Sequence, residues 1–161
     1  MGTDNLFWKR KNKSLKRKSR NRGKLPESFL IVCEGGKTEP NYFKAFKLSS
    51  AAIRVEGLGM NTLSLVQVTL KIIERAKKDG ILYDQVWCVF DRNHFPIQNF
   101  NNAIDLANKK NIKVAYSNEA FELWYLLHFH YYNSGVSRNQ YFAMLSKLLN
   151  APYKKNDTTM Y

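Results

Sequence analysis

A chain of 161 residues, 44% of them hydrophobic, suits one compact domain with a tail and a buried core. No apolar run reaches bilayer-spanning length, and the N-terminus lacks the apolar segment of a signal peptide, so the chain reads as cytosolic with no membrane role. The formal net charge of +13 points instead to a polyanionic partner.

That charge is concentrated at the start. Lys9, Arg10, Lys11, Lys13, Lys16, Arg17, Lys18, Arg20, Arg22 and Lys24 follow one another with no acid between them, and Asp4 alone precedes them. Ten cations against one acid put +9 of the net charge in residues 1–24. A self-repelling block with few apolar residues cannot build a core and is expected to be a disordered arm. Either it is a solvated tail, or it contacts phosphates of nucleic acid, with salt-sensitive affinity and no base-reading content. A one-sign block makes a better polyanion ligand than a solubility device. Residues 25–161 form the domain proper.

The first apolar run, 29–33, is short and rich in β-branched residues, as in a strand buried on both faces of a parallel sheet. It stops on Glu34, and Gly35-Gly36 permit a tight turn. Thr38 is expected to cap a helix that begins with Glu39 and Pro40 and carries Tyr42, Phe43 and Phe46. A short alternating segment, 53–57, reads as a second strand. Asn61-Thr62 then caps a long helix through Lys78, with Leu63, Val66, Leu70, Ile73 and Ala76 on one face and Gly80 just beyond its end. The run 85–90 is another buried strand, and it too stops on a carboxylate, Asp91. A helix over 98–110, a strand over 112–116, a Ser117-Asn118 cap, a buried helix over 119–130, a loop and a last amphipathic helix over 138–150 complete the chain. Strands alternating with helices specify α/β units and a mostly parallel central sheet with helices on both faces. Cys33 and Cys88 lie in apolar strands and read as core thiols.

Two strands therefore end in acids, Glu34 and Asp91, with Glu39 one turn after the first. At the carboxyl edge of an open α/β sheet, where ligands collect, such acids repel one another unless a cation lies between them. Oxygen ligands with room for water indicate Mg²⁺ or Mn²⁺, and beside a basic arm the matching chemistry is phosphodiester cleavage. Lys37 and Arg92 flank these acids and are candidates to hold a scissile phosphate. Each acid alone could simply end a strand or cap a turn. A phosphate-binding P-loop is excluded: Gly36-Lys37-Thr38 would need a glycine at position 31, which is Ile31, within the strand. His94 could be a ligand or proton shuttle but reads as an incidental loop residue, while His128 and His130 on the aromatic helix, and Trp124, Tyr125, Tyr131 and Tyr132, fit packing or a protein interface better than base stacking.

Three segments carry a family resemblance: Ile31-Val-Cys-Glu-Gly-Gly-Lys-Thr-Glu-Pro-Asn-Tyr-Phe43, Val89-Phe-Asp-Arg-Asn93, and Asn118-Glu-Ala-Phe-Glu-Leu-Trp-Tyr-Leu-Leu-His-Phe129. In this order they resemble the RloB family, bacterial proteins found near restriction and abortive-infection loci. The resemblance implies a Toprim-like fold, the metal-binding core shared by topoisomerases, primases and related nucleases. It implies roles for Glu34 as acid/base or ligand and for Asp91 as metal ligand, with Glu39 and Glu122 completing or supporting the acidic cluster and Asn93 standing at a further metal position. It also implies phage defence as the context and, for some members, an ATPase partner.

Three departures stand out. Asp91-Arg92-Asn93 replaces the usual aspartate-x-aspartate, so one metal carboxylate is an amide. Gly36 stands where an acid is frequent, and Glu119 where a proline is frequent. Family members extend past the point corresponding to Tyr161, so a C-terminal part is expected to be missing. The expected activity is a metal-dependent nuclease; the rival, favoured by Asn93, is a non-catalytic nucleic-acid-binding adaptor that docks an ATPase.

Overall fold

The computed structural model describes residues 26–92 and 96–157. The basic arm, Asn93 and His94 thus lie outside the described residues. Within them the chain runs β1 (Glu27–Cys33), α1 (Thr38–Ala45), β2 (Ala51–Gly57), α2 (Thr62–Lys78), β3 (Gln85–Arg92), α3 (Ile97–Lys109), β4 (Lys113–Asn118), α4 (Glu122–Leu127) and α5 (Arg138–Leu149).

The four strands form one sheet in the order β2-β1-β3-β4, with every pair parallel. This is the expected α/β architecture, consistent with a Toprim-like arrangement. The two most apolar strands, β1 and β3, take the centre because only central strands lose both faces and both edges to neighbours. From β1 the chain crosses to β2 on one side, and from β3 it crosses to β4 on the other. The strand order therefore reverses between β1 and β3, which creates a crevice at their carboxyl ends.

Alternation along the strands feeds two cores. Leu30, Val32, Cys88 and Phe90 face α2 and α3, where Leu65, Val66, Ala103, Ala107 and Ile112 close the layer. Ile31, Cys33 and Val89 face the opposite side, against Phe121, Tyr125, Leu126, Tyr141 and Leu145. Each large apolar side chain fully buried in such a layer contributes about 1.5–3 kcal/mol.

Local signals explain the long elements. The Asn61 side chain accepts the Ser64 amide at 3.0 Å, and Gly80, at φ 76°, ends the α2 region. Gln140 Oε1 accepts both the Ser137 amide and hydroxyl, at 2.8 and 2.9 Å, to start α5. Cys33 and Cys88 are buried free thiols, and burial pushes both well above the ordinary thiol range. No helix among the described residues is long and apolar enough to cross a membrane.

Three local expectations need correction. Thr38 does not cap α1: Lys37 occupies that position, and the Thr38 hydroxyl donates instead to Asn156 Oδ1 at 2.7 Å. Ser117 and Asn118 are not a helix cap but the last two residues of β4, paired with Asp91 and Arg92. The helix expected over 119–130 is only Glu122–Leu127. Glu119 takes φ 64°, turning the chain sharply after β4, so the helix cannot begin there. Its apolar residues are not all buried either: Leu127 and Phe129 are exposed.

Candidate functional site

The crevice between β1 and β3 is where the strand-end acids meet. Pairing of the two strands continues one step past Cys33, because the Glu34 amide donates to Val89 O at 2.8 Å. That step brings the Glu34 side chain alongside the next turn of β3, where its Oε2 accepts the Asp91 amide at 3.0 Å. Asp91 is fixed from the other side: Ser117, opposite it on β4, donates its hydroxyl to Oδ1 at 2.6 Å. Asp91 leaves the strand on the Val89 face, which is the face covered by α4 and α5.

Glu39 reaches the same place from the first turn of α1. It is buried, and its carboxylate lies against the Cα of Gly35, so that any Cβ at position 35 would collide with it. Glycine at 35 leaves the Glu39 carboxylate room in this position, by close approach and not by an unusual φ. Gly57 plays the matching part at the end of β2, where a Cβ would lie 2.5 Å from the Pro40 ring and 2.7 Å from Gly35 O. The turn after β1 and the end of β2 are thus packed backbone to backbone, with the Pro40 ring of α1 against Gly57.

Glu122 opens α4 and is fully buried. Its Oε1 accepts the Tyr153 hydroxyl at 3.0 Å and lies 3.7 Å from Lys155 Nζ. Its Oε2 has no hydrogen-bond partner among the described residues. A buried carboxylate oxygen left in that state is costly unless something else meets it.

The electrostatics match this crowding. Burial raises the Glu34 carboxyl to about 7, with the charges of Asp91 and Glu39 adding to the rise and the Asp91 amide opposing it. Burial likewise raises Glu39, with Asp91 and Glu122 adding and Lys155 opposing. Burial raises Asp91 as well, against the Ser117 hydrogen bond; Glu122 adds, while Lys155 and Arg138 oppose. The four acids therefore sense one another across the crevice. Their hard oxygen donors, mutual repulsion and the orphaned Glu122 oxygen fit a divalent cation in kind. Among the described residues they are not drawn together into a ready-made group of three ligands.

The remaining candidates separate. Lys37 is exposed on the turn leading into α1. Arg92, next along β3 from Asp91, points to the opposite face, with its guanidinium 5.9 Å from the Phe100 ring centre. The alternation that brings Asp91 inward carries Arg92 away, so it does not flank the acids as expected. His128 and His130 are both exposed, His128 with its Nε2 2.8 Å from the Tyr42 hydroxyl. Trp124 stacks on Phe121 at 6.1 Å. Asn93, His94 and Lys9, Arg10, Lys11, Lys16, Arg17, Lys18, Arg20 and Arg22 lie outside the described residues.

Sequence reasoning missed Ser117, Tyr153 and Lys155. Ser117 was within reach, since period-two alternation from Ala115 places it on the Asp91 face. Tyr153 and Lys155 follow the last helix in a segment tied down by the Thr38–Asn156 hydrogen bond and by the Tyr153 amide on Ser146 Oγ at 2.8 Å. No local pattern announces them.

The fold and crevice define an α/β protein with an acidic cluster at the topological switch point of its sheet. The sequence profile of the family described as RloB-like protein matches residues 29–161, and the chain belongs to that family. No curated protein matches the chain.

Proposed function

We propose that this protein is a metal-dependent nuclease that hydrolyses phosphodiester bonds of nucleic acid in the cytoplasm, in the service of bacterial phage defence by abortive infection. The observation that carries the reading is the Asp91 amide bond to Glu34 Oε2, which ties the Glu34 carboxylate to the backbone of the other strand-end acid at the switch point. Glu34, Glu39, Asp91 and Glu122, with Asn93 of the same tripeptide as Asp91, would hold Mg²⁺ or Mn²⁺. Such a cation supplies neutralisation of phosphate charge and an activated water.

The chain's own groups account for the rest. With its carboxyl at about 7, Glu34 can take or give a proton near neutral pH, as a general base or acid must. Ser117 fixes the Asp91 carboxylate in one orientation. Lys37, exposed on the turn after β1, would meet a phosphate, and Lys155 brings a positive charge to Glu122. The basic arm adds affinity for the polyanion without sequence preference. The defence setting, and an ATPase as partner, rest on the family resemblance.

A second reading is favoured by Asn93, which replaces a metal carboxylate with an amide. On that reading the chain is a lapsed enzyme that binds nucleic acid and docks the ATPase. Cleavage of plasmid DNA and of total RNA in Mg²⁺, in Mn²⁺ and in chelator separates the two. The nuclease reading expects metal-dependent cutting that Glu34→Ala and Asp91→Ala each reduce on the order of 10²–10⁴-fold. No cutting, with salt-sensitive binding that both variants keep, selects the adaptor.

A further inference from the structure

A largely apolar groove of about 840 Å³ opens on the sheet face that carries α1 and α4. Phe29, Ile31, Ile53 and Trp87 form its floor, and Phe46 and Leu48 stand on its wall. The two wall residues are 44% and 52% exposed. A hollow of this size and character in contact with water is unusual for a chain that leaves it empty.

The chain itself suggests the occupant. Pro26, the first described residue, lines the groove, so residues 1–25 join the domain at the groove's own lip. Within them Leu6-Phe7-Trp8 is the one run of consecutive apolar residues, set immediately before the ten cations. Residues 9–25 separate this triplet from Pro26; at about 3.3 Å per extended residue they outreach any point along strands of seven or eight residues. No Lys or Arg lines the groove, whereas Glu27 does, so cations that follow the triplet meet no like charge there. A tether of this length keeps the triplet at an effective concentration of about millimolar, where even a weak apolar contact is occupied.

We infer that the groove receives the chain's own Leu6-Phe7-Trp8, which pins the arm at both ends and closes its cationic block, residues 9–24, into a loop against the domain. Two aromatic rings and a leucine bring large apolar area into a site that already offers Phe29 and Trp87 as partners. Because the contact is apolar, it persists in salt that strips the arm from phosphates. This inference does not depend on the nuclease reading.

The test places the photocrosslinker p-benzoylphenylalanine at Phe7 of the full chain, with crosslinks mapped by mass spectrometry. Expected are crosslinks within one chain to groove residues, unchanged on dilution and in high salt. Leu48→Glu, at an exposed position that leaves the fold intact, should reduce them several-fold. Crosslinks between chains that fade on dilution would assign the groove to a second copy and overturn the inference, as would crosslinks that avoid the groove. A second measurement guards against a poorly placed crosslinker: Leu6→Ser, Phe7→Ser and Trp8→Ser together should raise the fluorescence of a hydrophobic dye several-fold. Equal dye binding in the variant and the unmodified chain would also sink the idea.

Discussion

The two faces of the sheet are covered in different ways. On one, α2 and α3, of 17 and 13 residues, close over Leu30, Val32, Cys88 and Phe90. On the other, α1 and α4, of 8 and 6 residues, reach only part of the strands, the 12-residue α5 packs mainly on α4, and the acids and the apolar groove share what remains. The same alternating strands feed both faces, so the difference lies in the helices. Long amphipathic helices make a closed layer that only stabilises. Short ones leave strand ends and side-chain floors accessible, which is the condition for a site.

The largest effect should come from breaking the closed face. Leu30→Ala deletes a fully buried side chain there and is expected to cost about 3 kcal/mol in urea unfolding. Ile53→Ala, half-buried on the open face, should cost about 1 kcal/mol. Equal losses would mean that the open face is covered as fully as the closed one.

Next comes the seam beneath the acids. Gly57→Ala forces a Cβ into the Pro40 ring and the Gly35 carbonyl, and overpacking of this kind costs about 1–3 kcal/mol. A variant as stable as the parent would show that the turn after β1 can shift freely, contrary to its packing.

The smallest expected effect is also the most specific to the open face. Glu34, Glu39 and Asp91 all have folded-state carboxyls raised by burial, Glu34 from 4.5 to about 7. A raised acid binds more protons folded than unfolded, so its stabilising contribution is complete below about 4.5 and is lost as pH climbs through about 7. The metal-free chain should therefore melt a few degrees lower at pH 8 than at pH 5.5, with Glu34→Gln flattening part of that slope. Added Mg²⁺ should recover the loss at pH 8. A melting temperature that rises with pH over this window would remove the case for a strained acidic cluster.

Much of this architecture was legible in the sequence. Runs such as 29–33 and 85–90 announce central strands because β-branched apolar residues bounded by turns have few other uses. The α2 helix was legible for the same reason, through its Asn61 cap and Gly80. The region after β4 was not. Ser117 and Asn118 are good capping residues by type, yet pairing with β3 claims them for the sheet, and tertiary contact outweighs local preference. Within the candidate site, Glu34 and Asp91 stood out because each ends an apolar run. Tyr153 and Lys155 reach Glu122 across 31 and 33 positions, and Asn156 reaches Thr38 across 118. Contacts of that span leave no periodic trace.

The pressing of the Glu39 carboxylate against Gly35 has a consequence for how this protein can diverge. A side chain at 35 is admissible only if residue 39 is shortened or swings out of the crevice, so the two positions are not free to drift separately. Among relatives, a side chain at 35 should come with a shorter residue at 39 or with a glutamate turned out of the crevice. A lineage that breaks the pair gives up that carboxylate before it loses the fold.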